Sequence, residues 1–135
     1  MRKILVFIIL ILSVVTSCVM EPPTTRYSFK IINKTNYSLF IDCKTVKYEE
    51  FSSDTVKSTQ VFVKDILQLG CFQNYHDTLI QSFFKELKIR VDNRILNIDP
   101  YNRANWTDST DLRGSSNCKG GSVYYTLVVK ETDLK

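Results

Sequence analysis

The chain has 135 residues, with 18 basic and 14 acidic side chains, a formal charge of +4, and one histidine. That length suits one domain with its own core and excludes two, and with no basic stripe along it the chain is expected to take no nucleic acid partner. Its four cysteines and one histidine show no Cys-x-x-Cys or His-Glu-x-x-His spacing, and its four glycines form no phosphate-cradling loop. No metal, cofactor or catalytic set is therefore expected.

Arg2 and Lys3 open the chain, and Ile4 to Val15 is apolar apart from Ser13. As a helix that run reaches about 18 Å, well short of the ~30 Å hydrocarbon core, and it has the pattern of an export signal. Val15-Thr16-Ser17-Cys18 resembles the bacterial lipobox, an aliphatic residue and two small ones before an obligatory cysteine. The resemblance implies that residues 1–17 are removed, that the Cys18 sulfur receives a diacylglycerol and that the new amine is acylated. The rival is ordinary secretory cleavage after Ser17, which leaves Cys18 a plain thiol. Two or more acyl chains hold a protein stably on a membrane, so a membrane is the first expected partner. Residues 18–26, with Pro22-Pro23 and Thr24-Thr25, form the expected tether, stiff and at most ~29 Å long. Cleavage before Cys18 leaves 118 residues, 16 basic and 14 acidic, and a charge of +2.

From residue 27 to 135 the chain alternates in short runs, which predicts an all-β domain. Tyr27, Phe29 and Ile31 share one face, Asn33-Lys34-Thr35-Asn36 turns, and Tyr37 to Cys43 returns. Thr59 to Val63 is a third candidate, continuing less clearly towards Leu69. Asp77 to Leu87 reads as a helical turn or an extended run, because Leu79, Phe83 and Leu87 stand four apart. Leu87, Ile89 and Val91 then alternate with charged residues, and Asp92-Asn93 turns into Arg94 to Ile98 as an expected hairpin. Asp99 to Gly121 reads as a long polar loop holding Trp106. Ser122 to Lys130 closes the domain with Val123, Tyr125, Leu127 and Val129 inward. About seven strands in this length suit an immunoglobulin-like β-sandwich.

With Cys18 acylated, Cys43, Cys71 and Cys118 remain in an oxidising compartment. Cys43 continues the alternation Tyr37, Leu39, Ile41 and is expected to be a buried thiol. Cys71 and Cys118, in turn regions beside glycines, form the expected disulfide. A free Cys18 would leave three possible pairings.

The stretches "YSFKIINKTNYSLFI", "LKIRVDNRILNI", "DPYNRANW" and "VYYTLVVKETDL" resemble small lipoproteins of Bacteroidetes. That resemblance implies a lipidated β-sandwich, immunoglobulin-like or transthyretin-like, and brings no catalytic residues with it. Asp54-Thr55-Val56, Asp77-Thr78-Leu79 and Asp108-Ser109-Thr110 resemble the Asp-Ser/Thr-X acceptor of O-glycosylation in exported proteins of that lineage. Thr55, Thr78 and Ser109 are the corresponding candidates. Asn33, Asn36 and Asn105 fit the N-glycosylation pattern but read as turn formers.

Three functional readings follow. The favoured one is a non-catalytic cell-envelope lipoprotein in the outer membrane, facing the periplasm or the cell surface. Its Asp99–Gly121 loop would present Tyr101 and Trp106 to a protein or a glycan, the alternative being a Trp106 packed inward, which removes that site. The second is an inhibitor of a hydrolase. The third pairs Cys71 with His76 in "CFQNYHD" as a nucleophile and its base, against the plainer reading of a loop histidine beside a bridged cysteine. Calcium at Asp108 and Asp111 is disfavoured, since "DSTDLRGSSN" lacks the ligand order of an EF-hand.

Overall fold

Alternation writes most of the strands directly. In the computed structural model, which describes residues 23–72, 79–115 and 118–135, β1 spans Thr24–Lys34 and β2 Leu39–Thr45. β3 is Phe51–Val56, β4 Val61–Leu69, β5 Phe84–Val91, β6 Trp106–Ser115 and β7 Cys118–Lys130. One short helix, α1 (Leu79–Phe83), runs directly into β5, and 3₁₀ turns occupy Arg103–Asn105 and Glu131–Asp133. Because β1 begins at Thr24, where Thr24 pairs with Leu69, the last three residues expected in the tether belong to the sheet.

These seven strands form two sheets, β4-β1-β7-β6 and β3-β2-β5. β1 and β7 are parallel from Thr25↔Gly121 to Lys34↔Lys130, and every other ladder is antiparallel. The all-β, two-sheet expectation is met, but the strand order is not the immunoglobulin one. Lettered in chain order, the sheets read D-A-G-F and C-B-E, whereas an immunoglobulin constant-type domain groups A, B, E and D against C, F and G. The cause lies at the end of β1. Its successor β2 crosses to the other sheet, and β4 takes the flank of β1 instead.

Asn33 makes that crossing possible. It is fully buried, and its amide donates to the carbonyls of Tyr37 (2.7 Å) and Val56 (2.8 Å). Its Oδ1 accepts from the Thr35 N–H (2.9 Å) and the Thr35 hydroxyl (2.8 Å). One side chain thus joins the end of β1, the crossing segment and the end of β3. Both amide hydrogens are spent on structure, in keeping with a turn former.

The core lies between the sheets. Phe29 of β1 meets Phe84 of β5 edge-on at 4.9 Å and Trp106 of β6 at 5.9 Å, and stacks on Tyr125 of β7 at 5.3 Å. Phe83 closes one end of this cluster, 4.5 Å from Tyr27 and 5.3 Å from Phe29. The change from helix to strand at residue 84 turns two consecutive phenylalanines inward, so both are buried. A strand alone would have sent them to opposite faces.

Two expectations are corrected, and one strand is added. The Asp92-Asn93 turn closes only one bridge, Val91↔Arg94, and Arg94 to Ile98 does not return along β5. That segment pairs instead with the end of the chain: Ile95 exchanges backbone bonds with Lys135, and Asn97 donates to Asp133. The Asp99–Gly121 stretch is not a loop but a 3₁₀ turn, the whole of β6 and the start of β7. β6 is an edge strand exposed from Thr107 to Asp111, so it could be polar without alternating. β3, also an edge strand, went unread because Val56 is its one buried residue.

Candidate functional site

Tyr101 and Trp106 do not form a docking loop. Trp106 is only 3% exposed and donates its indole N–H to the Pro100 carbonyl at 2.9 Å. It begins β6 as a core residue. Tyr101 is half-buried, and its hydroxyl accepts the Leu87 N–H at 2.6 Å, capping a backbone donor of β5. Tyr101→Phe is expected to cost about 1 kcal/mol and lower the melting temperature by roughly 4–6 °C. Calorimetry against the parent chain measures it.

Cys71 and Cys118 are joined as a disulfide, 47 residues apart in sequence. Beside it, the Phe72 N–H donates to the Lys119 carbonyl at 2.6 Å and the Gly70 N–H to the Pro23 carbonyl at 2.7 Å. The starts of β1 and β7 and the end of β4 are therefore fastened together at one end of the sandwich. A sulfur held in a disulfide is no nucleophile, which removes one partner of the Cys71–His76 pair, and His76 lies outside the described residues. Cys43 is a buried free thiol with its sulfur 3.0 Å from the Ser52 hydroxyl.

Thr55 and Ser109 are exposed on the edge strands β3 and β6, one on each sheet, while Thr78 and Cys18 lie outside the described residues. Both described acceptors follow an engaged aspartate. Asp54 takes the Thr55 N–H at 2.7 Å, and Asp108 pairs with Arg103, whose guanidinium also lies over the Tyr125 ring. Asp42, on the outer face of the three-stranded sheet, accepts from the Ser53 hydroxyl and from Arg90, each at 2.6 Å. The Ser53 bond first, and Arg90 after it, hold its carboxyl below the usual value. Glu86 in turn raises Lys88, and Lys85 lowers Glu49. These charges neutralise one another on the surface. Among the described residues no group of three His, Cys, Asp or Glu side chains could hold a metal ion.

A cleft lined in part by Val46, Ile66, Leu69 and Phe83 lies at the disulfide end. It has a volume of about 310 Å³ and opens where the β2–β3 turn, the end of β4 and α1 meet, with Lys47, Gln68 and Ser82 completing its lining. Its surroundings are apolar and wet at once: Leu69 is 70% exposed, Tyr48 59%, Leu67 50% and Val46 47%. Lys47 Nζ donates to the Leu67 carbonyl at 3.0 Å, the Tyr48 hydroxyl stands 3.5 Å from the same oxygen, and the Lys47 ammonium lies over the Tyr48 ring. This site escaped sequence reading because its residues come from a turn, a strand end and a helix. One signal was present: "VFVKDILQL" in β4 is apolar on both faces, although its inner residues Phe62 and Ile66 alone suffice for the core.

No protein-family model matches the chain, and no curated protein and no solved structure matches it significantly.

Proposed function

We propose that the chain is a membrane-anchored lipoprotein of the bacterial cell envelope whose β-sandwich is a non-catalytic binding or structural module. The observation that carries this reading is Val15-Thr16-Ser17-Cys18 at the end of an apolar run too short to span a bilayer. A disulfide at the end of the domain nearest the tether fits an exported chain, since such bonds persist in oxidising compartments. The outer membrane, with the domain facing the periplasm or the surface, is the location this reading takes.

Mass spectrometry of the mature N-terminal peptide from native cells tests it. The expected peptide begins at Cys18 and carries a diacylglycerol on sulfur and an acyl group on its amine. Cys18→Ala should abolish the acylation and leave residues 1–17 attached, read on the same spectrum as an unmodified chain with its leader. In the parent protein, an unmodified Cys18, or a chain that keeps residues 1–17, overturns the reading.

A further inference from the structure

The apolar cleft and the tether occupy the same end of the domain. The Pro23 carbonyl is bound by the N–H of Gly70, the residue after exposed Leu69. The five residues from Cys18 to Pro23 reach at most ~18 Å, so an acylated Cys18 would hold this end close to the bilayer surface. The opposite end, where β1 crosses to β2 and Ile95 meets Lys135, lies a full strand length away.

We propose that the disulfide end of the domain, with Val46, Tyr48, Leu67 and Leu69 around the cleft, rests on the phospholipid bilayer that holds the tether. This rests on the anchored reading above and adds a second contact to it. The residue types suit an interface. Tyr48 and Lys47 each present an apolar body and a polar tip, the chemistry of side chains that lie at the boundary between tails and headgroups. Leu67, Leu69 and Val46 supply apolar surface already exposed, and the cleft behind them is open to an acyl chain. Strand addition by a peptide or a second copy is disfavoured here. β4 is an edge strand, but its Leu67 carbonyl is already taken by Lys47 and faced by Tyr48.

The test uses the full chain, processed and acylated in cells and reconstituted in vesicles of phosphatidylethanolamine and phosphatidylglycerol. Some vesicles carry lipids brominated on their tails. Tyr48→Trp places a fluorophore at the cleft, Ile95→Trp places one at the far end, where Ile95 is 71% exposed, and buried Trp106 serves as the internal constant. Bromine should lower the added emission about twofold or more for Tyr48→Trp and leave Ile95→Trp unchanged, as shallow insertion requires.

Equal quenching of both variants, or of neither, overturns the proposal. Emission from Tyr48→Trp that is shielded in proportion to protein density but indifferent to bromine assigns the face to a second copy and also overturns it. Acylation is read by mass on the same sample, so the two ideas fail separately. Quenching without acyl groups sinks the anchor and sustains the contact. Acyl groups without quenching sink the contact alone.

Discussion

Phe29→Ala is expected to cost about 3–5 kcal/mol, a large share of the 5–15 kcal/mol that holds a typical domain folded. Phe29 is 1% exposed, and its ring packs against Trp106 of β6 and Tyr125 of β7 in its own sheet, Phe84 of β5 in the facing one and Phe83 of α1. No single neighbour can move into the vacated space without leaving its own contacts. The cavity should therefore stay largely open, which puts the cost at the upper end of large-to-small changes. Urea unfolding measures it as a lowered midpoint with an unchanged slope. Phe29→Leu, which keeps most of the volume, should recover more than half of the loss.

Asn33→Ala should cost about 2–4 kcal/mol although it removes little apolar surface. The change strips the Val56 carbonyl of its Asn33 donor, leaves the Tyr37 carbonyl only the Thr35 hydroxyl, and leaves the buried Thr35 N–H without its acceptor. Buried polar groups left unpaired carry the full desolvation penalty. Asn36→Ala is the control, because Asn36 is exposed and its side chain makes none of these bonds. It should change stability by less than about 0.5 kcal/mol. Hydrogen exchange adds a second readout: in Asn33→Ala the Thr35 amide should exchange much faster, while the amides at the centre of β7 keep their order of protection.

Both residues stood in plain view in the sequence, and only one could be weighed there. Phe29 declared itself by alternation with Tyr27 and Ile31. Asn33 read as one of four turn residues, because its partner Val56 is 23 positions away and contributes only a carbonyl. The same limit explains the rest. β7 was legible over Val123 to Val129, where one face is buried and the other wet, the condition that makes a period of two visible. β3 and β6 lie at sheet edges, where solvent reaches both faces and hydrophobicity has no reason to alternate. For Trp106 the sequence leaves an exposed anchor and an inward-packed ring open, and burial decides for the second, because a polar edge strand can begin with an inward residue. The cleft was least legible of all. Its lining joins residues from 46 to 83, and no local pattern reports a shape assembled from three distant pieces.

The parallel ladder between β1 and β7 has a consequence for how the chain comes into being. The first strand translated has the last as one of its two partners, from Thr25↔Gly121 to Lys34↔Lys130. A ribosome-bound polypeptide therefore cannot complete the larger sheet until β7 has been made, and pairing across so much intervening chain is slow. A premature stop codon ahead of Val123 would delete the middle of that sheet rather than its margin. Until β7 is made, β1 has β4 alone beside it, and the larger sheet stands unfinished.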